Sequence, residues 1–177
     1  YADFVQVLNA FVDEQTFEKV RQEFEQTKRV GELNIPMDFF MALNARQKDI
    51  LLELLLEIDG YGALIDDIIQ YLNISQRERL FRRIAEKGDY EVLEILIPFM
   101  TRAMRTEIAM LLLERREYGF LEEMIIFLNH EQRDLLIRYF MDNQLNLEVL
   151  EDFWPFFDKT QHKLITDWRE NSERRKD

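Results

Sequence analysis

The chain repeats one short pattern six times, and this repeat constrains the fold more than any other feature. In each copy an apolar residue precedes a side chain that can cap a helix, and another apolar residue follows the cap by seven positions. Asp, Asn and Thr side chains accept hydrogen bonds from the free N–H groups of a helix's first turn. Each cap therefore predicts the start of a helix, which we call helix A. The caps lie 28 to 31 positions apart and are Asp13, Asn44, Asn73, Thr101, Asn129 and Asp158.

Further positions in the repeat support this interpretation. Glutamine follows four of the caps by three residues, the spacing of a capping box. The apolar positions seven and eleven residues after the cap fall on one face of a helix. Turn-forming pairs then predict where each helix A ends, because Gly and Asn adopt the left-handed conformation that closes a helix. These pairs include Val30-Gly31, Asp59-Gly60, Lys87-Gly88 and Asp142-Asn143.

A shorter and more apolar helix B is predicted to follow each of the first five A helices. No part of the chain alternates apolar and polar residues as a strand does, so we predict no sheet. Each A–B pair has too much apolar surface to stand alone, and stacking buries it in a continuous core. The predicted fold class is all-α, a right-handed superhelix (α-solenoid) of about five helical hairpins. The B segments are 34–42, 61–71, 89–99, 118–127 and 146–156.

The repeat predicts a single helical-repeat domain over residues 1–170. It begins with an apolar capping helix over 1–12, continues with hairpins starting near 13, 44, 73, 101 and 129, and ends with an unpaired helix over 158–170. Residues 171–177 form a polar tail. The first residue is Tyr1 and not Met, so we expect an excised domain or a processed chain.

At the level of architecture, this pattern resembles HEAT-like and related short helical-hairpin superhelices. The units are shorter than typical HEAT or tetratricopeptide repeats and lack the Trp/Gly/Tyr/Pro pattern of the latter. The hairpins are also similar to those in the acidic superhelical domains of flagellar motor and magnesium-transport proteins. The resemblance implies that B helices line the ligand-facing surface, as in many such superhelices.

The charge and composition exclude several classes of function. With 35 Asp and Glu against 23 Lys and Arg, the formal charge is −12, so we expect no nucleic-acid partner. The chain has no cysteine, which removes disulfides and thiolate sites. Apolar stretches are interrupted every few positions by charged residues, so we expect no membrane insertion. We expect a cytoplasmic protein.

The strongest functional signal is that the five B segments contain carboxylates but no Lys or Arg. Stacked hairpins would align these carboxylates along one face, and we call seven of them the acidic ridge. Such a face would speed the docking of a basic or amphipathic segment of another protein. The acidic ridge comprises Asp66, Asp67, Glu94, Glu122, Glu123, Glu151 and Asp152.

Two other interpretations of the ridge remain open. In the first, its carboxylates only solvate helix B or pair with a column of cations four residues after the A-helix caps. In the second, Mg²⁺ or Ca²⁺ neutralises the ridge in a divalent-cation-responsive regulatory domain. The cation column is Lys48, Arg77, Arg105, Arg133 and His162.

No arrangement of residues predicts catalysis, a cofactor or a dedicated metal site. His130 and His162 occupy different places within the repeat, and no serine lies in a nucleophile elbow. The function we predict is therefore a non-catalytic protein–protein interaction or scaffold module. The aromatic residues Trp154, Phe157 and Trp168 are interpreted as part of the core that seals the last hairpin. The alternative, left open, is a terminal contact face beside the unpaired last helix that pairs two copies or receives a further domain.

Overall fold

A computed structural model describes residues 12–33 and 38–176 of the chain. Within these ranges it contains eleven α-helices and no strand beyond one isolated bridge between Arg29 and Asp59. The all-α prediction is thus confirmed for the described residues. The predicted capping helix over 1–12 and the start of the first B segment lie outside them. The helices are α1 (Glu14–Gln26), α2 (Asp38–Ala42), α3 (Ala45–Leu55), α4 (Gly62–Ile68), α5 (Ile74–Lys87), α6 (Tyr90–Leu96), α7 (Arg102–Glu114), α8 (Tyr118–Ile125), α9 (His130–Asp142), α10 (Val149–Phe153) and α11 (Lys159–Arg174).

The odd-numbered helices are the predicted A helices, and each begins at its predicted cap. All six capping side chains accept a hydrogen bond from the backbone N–H three residues later. Complete capping boxes form where glutamine occupies that third position, as the sequence predicts. They lie at the N-termini of α3, α5, α9 and α11.

Several helix ends differ from the prediction. Helix α1 ends at Gln26, before Val30-Gly31, because Thr27 adopts an extended backbone (φ −80°, ψ 131°), and its hydroxyl donates to the carbonyl of Glu23. Gly88 does close α5 in the left-handed conformation. At the other end of the chain, α11 extends to Arg174, into the predicted polar tail.

The chain divides into two compact units, residues 1–92 and residues 93–177. In the first unit, α1 packs on α3, and α3 faces α5 across a narrow cleft. In the second unit, α7 packs on its partner α8 and on α9, α9 packs on α11, and α8 packs on α10. Each unit thus places A helices beside A helices, and the second also places B beside B. A single domain over 1–170 stays a prediction.

The core of each unit comes from the apolar faces that the repeat predicts. The residues seven positions after five of the six caps are buried, and Val20, seven after Asp13, is half-buried. The five are Leu51, Leu80, Ile108, Leu136 and Ile165. The buried polar side chains among the described residues are four glutamines, and all four are capping-box residues. They are Gln47, Gln76, Gln132 and Gln161.

Candidate partner-binding surface

All seven carboxylates of the acidic ridge are exposed. Each lies on a B helix whose opposite face is in the core, as Ile65 and Ile68 of α4 or Leu121 and Met124 of α8 show. Burial of these apolar residues fixes the helix so that the intervening acids point to solvent. The first unit carries Asp66 and Asp67, and the second unit carries the other five.

The ridge carboxylates have little compensating positive charge. Among the described residues, an ion pair within 4.0 Å is found for only one of the seven, Glu151, whose Oε1 lies 3.6 Å from an Arg169 nitrogen. Both side chains of this pair are largely exposed, and such pairs stabilise a fold by about 0–1 kcal/mol. The acids of α4, α6 and α8 therefore face solvent without a cation.

The cation column does not pair with the ridge, as one interpretation of the sequence supposed. Its side chains instead bind main-chain oxygens at the C-terminal ends of B segments. Arg133 illustrates the pattern, because it donates to Ile125 O (3.1 and 3.3 Å) and to Phe156 O (2.6 Å). Helix C-termini leave carbonyls without partners and attract positive charge, so they outcompete solvated carboxylates for these cations.

The other members of the column make equivalent contacts. Arg77 donates to Ile69 O at 3.0 Å, and Lys48 donates to Tyr71 O at 2.8 Å. Arg105 donates to the carbonyls of both Ile97 and Phe127, and His162 Nε2 lies 2.9 Å from Trp154 O. The column thus links the ends of B helices to A helices within each unit.

Exposed apolar side chains accompany the acids on the B segments of the second unit. Ile95 is 50% exposed, Phe99 40%, Ile126 64% and Phe127 37%. Sequence reasoning identified the acidic columns but did not assign these apolar positions to the exposed surface. The signal was available, since aromatic residues recur two positions before the caps at Phe99, Phe127 and Phe156.

The three aromatic residues of the alternative terminal contact face have different environments. Phe157 is buried and offers no contact surface. The Trp154 ring stacks on the His162 ring, with centroids 4.0 Å apart. Trp168 is half-buried and lines a groove of about 590 Å³ together with Leu147 and Lys176.

The two histidines have structural partners. His130 Nδ1 lies 2.6 Å from Asp158 Oδ2, and its Nε2 lies 3.4 Å from Asp134 Oδ2. Tyr61, which follows the turn at Gly60, also has a structural partner. Its hydroxyl donates to Asp89 Oδ2 at 2.5 Å. Burial, followed by this hydrogen bond, raises the pKa of Tyr61 well above its usual range.

The structure gives two further findings about the described residues. Among residues 12–33 and 38–176, no three His, Asp or Glu side chains come together in a way that would hold a metal ion. No helix in the same ranges is both long and apolar enough to cross a membrane. Comparison of the chain with protein-family models, with curated proteins and with solved structures finds no match.

Proposed function

We propose that this protein is a non-catalytic protein–protein interaction module that docks a basic or amphipathic segment of another protein along the acidic ridge. The observation that carries the proposal is that the seven ridge carboxylates are exposed and that six of them have no cation within ion-pair distance among the described residues. The cations of the neighbouring A helices are already bound to main-chain oxygens. The ridge is therefore left as a face of one charge sign.

The proposal includes a right-handed α-solenoid of five hairpins. The helix-by-helix packing inside each unit supports it, because repeated A–A neighbours are what a stack of hairpins requires. In such a stack the B helices of successive repeats carry the acids at equivalent positions. A continuous acidic face of this kind raises the association rate of a cationic partner and disfavours acidic ones.

A charge-reversal variant tests the proposal. This variant replaces one exposed acid in each of four B helices with lysine. Its substitutions are Asp66→Lys, Glu94→Lys, Glu122→Lys and Glu151→Lys. A control variant carries Glu23→Lys, Glu57→Lys, Glu114→Lys and Asp142→Lys, which reverse four exposed acids outside the B segments and change the net charge equally. Both variants are compared with the native chain in helicity and in binding to a lysine-rich amphipathic peptide.

The proposal predicts that the ridge variant loses binding and the control variant keeps most of it. Added salt should weaken the native complex, since Debye screening shortens the reach of the ridge charges. Equal binding by both variants would show that the ridge only solvates its helices.

A further inference from the structure

The B segments of the second unit end in an exposed apolar row. We define this row as the exposed Ile95, Phe99, Ile126 and Phe127 together with the half-buried Phe156. Four of its members are among the seven large apolar side chains that are exposed in the described residues. In the first unit Gln70 and Tyr71 hold the positions equivalent to Ile126 and Phe127 in one B segment, and Met41, 47% exposed, holds the position of Ile126 in the other. The exposed apolar side chains of the described B segments are thus concentrated in the second unit, which the general acidity of the surface does not explain.

Three members of the apolar row follow a ridge carboxylate by four residues, while Ile95 stands directly after Glu94. Glu122 precedes Ile126 by four residues, and Glu123 precedes Phe127 by four. Residues four apart are neighbours on a helix surface, and Ile126 extends α8 as its C-cap in the right-handed helical conformation. Phe127 lies in the turn that follows. Asp152 and Phe156 repeat the arrangement in the last hairpin. Each of these two B segments therefore presents a carboxylate and an apolar side chain side by side.

The distance between neighbouring B segments limits which helix could pack across the apolar row. Helices α8 and α10 pack against each other, and packed helices lie about 8–10 Å apart. Seven residues of an α-helix span about 10.5 Å. A helix lying across the B segments can thus place one apolar side chain on each hairpin if it carries one every seven residues.

Charge complementarity identifies the occupant. Lys or Arg side chains beside each apolar position of such a helix would meet the ridge carboxylates one turn away. A second copy of this chain would instead bring an equivalent acidic face against the first, and like charges oppose that contact. The face therefore suits a basic helix better than a self-association.

Building on the proposed function, we propose that the second unit binds a basic amphipathic helix whose apolar residues recur every seven positions and insert along the apolar row. The row provides the affinity through buried apolar area, and the ridge provides the steering and orientation. The first unit, in which Met41 is the one exposed large apolar side chain of the described B-segment residues, contributes mainly charge.

The test uses the full chain and a synthetic helical peptide of three heptads, with one leucine per heptad flanked by lysines. The variant Ile95→Ser with Ile126→Ser removes the two most exposed members of the row. The control is Ile74→Ser, because Ile74 is 64% exposed, as Ile126 is, but lies in the first turn of the A helix α5. Affinity is measured by fluorescence anisotropy, and self-association by sedimentation.

We expect the double variant to bind the peptide at least about tenfold more weakly, and Ile74→Ser to bind it like the native chain. Unchanged affinity in the double variant, with binding lost in the charge-reversal variant of the ridge, would overturn this inference and leave the proposed function standing. If the double variant and the charge-reversal variant both bound the peptide like the native chain, or if the native chain did not bind it, this inference and the proposed function would both be overturned. Self-association of the native chain that the double variant abolishes would assign the face to a second copy and overturn the inference.

Discussion

Gln161 donates from Nε2 to the main-chain oxygen of His130 at 3.1 Å, and so joins the last A helix to the one before it. The same Nε2 lies 2.9 Å from Asp134 Oδ1, while the Gln161 side-chain oxygen accepts from the Asp158 N–H to close the capping box. Gln132 repeats these contacts with Arg102 O and Thr106 Oγ1, both at 2.9 Å. One buried side chain thus both starts a helix and attaches it to its neighbour.

Replacing Gln132 with leucine tests this double role. The change keeps the size of the side chain but leaves the Asn129 N–H and the Arg102 carbonyl without their glutamine partner. We expect the free energy of unfolding to fall by about 1–3 kcal/mol, the cost of unsatisfied buried polar groups. Urea unfolding measures this free energy. The control is Gln26→Leu, which makes the same replacement at an exposed position. Equal midpoints for the two variants would show that the glutamine contacts contribute nothing.

The cation column leads to a second prediction. Arg133→Met removes three hydrogen bonds to two carbonyls but keeps the aliphatic stem of the side chain. Hydrogen bonds involving a charged group contribute about 1.5–3 kcal/mol, so we expect a loss in that range in the free energy of unfolding. Arg138→Met, at an exposed position of the same helix, should change it by less than about 0.5 kcal/mol. A loss of similar size in both variants would mean that total charge, and not the carbonyl contacts, matters.

Two glycines near the starts of B helices should respond to alanine in opposite ways. A Cβ at Gly62 would lie 2.7 Å from Val92 Cγ2, whose branched side chain has little freedom to move. We therefore expect Gly62→Ala to lower the free energy of unfolding by about 1–3 kcal/mol. A Cβ at Gly119 meets no atom within 4 Å, and we expect Gly119→Ala to raise it by up to about 1 kcal/mol. Thermal unfolding of the two variants measures both, and stabilisation by Gly62→Ala would contradict the packing of α4.

Asp158 makes the stability of the last helix sensitive to acid. The backbone N–H of Gln161, together with the nearby His130, lowers the pKa of Asp158 below its ordinary value of 3.8. A lowered pKa in the folded state means that the carboxylate stabilises the fold above pH 3.8, and that this contribution is lost as the pH falls through the lowered pKa. Asp158→Asn keeps a capping side chain, since asparagine caps α3, α5 and α9, but removes the titrating charge.

We expect the native chain and Asp158→Asn to differ in unfolding free energy at neutral pH and to converge as the pH falls through the lowered pKa of Asp158. Urea midpoints measured across this range follow the difference. Asp167→Asn, exposed on the same helix, is the control and should change the pH dependence little. A difference between native chain and Asp158→Asn that stayed constant down to the lowest pH would contradict a role for the Asp158 charge.

Local features of this fold were predictable from sequence because short-range chemistry decides them. Asn73 and Gln76 are three residues apart, so their capping box depends on little beyond the first turn of α5. The second bond of Gln76, from Nε2 to Ala45 O at 3.3 Å, joins residues 31 positions apart. All four capping-box glutamines make such a bond, but its acceptor lies in the preceding repeat, so the capping box alone does not identify the acceptor.

The partners of the cations were the part of the surface that sequence reasoning misjudged. Arg105 and Glu122 have opposite charges in adjacent segments, which suggested that cations of this column pair with the ridge. The structure directs Arg105 to the Ile97 and Phe127 carbonyls instead. Every helix end has main-chain carbonyl acceptors, whatever its residue types. A charge pattern read from the sequence does not include these acceptors and therefore overestimates ion pairing between side chains.

The most direct test of partner binding on the B helices is an NMR titration of the full chain with the three-heptad lysine and leucine peptide. A partner docked on the B helices should perturb backbone amides over 90–99, 118–127 and 149–156 most strongly. It should leave the outward positions of α7 and α9 nearly unchanged. Perturbations centred on the A helices or on the groove beside Trp168, or none at peptide concentrations that saturate binding, would contradict a partner-binding surface on the B helices.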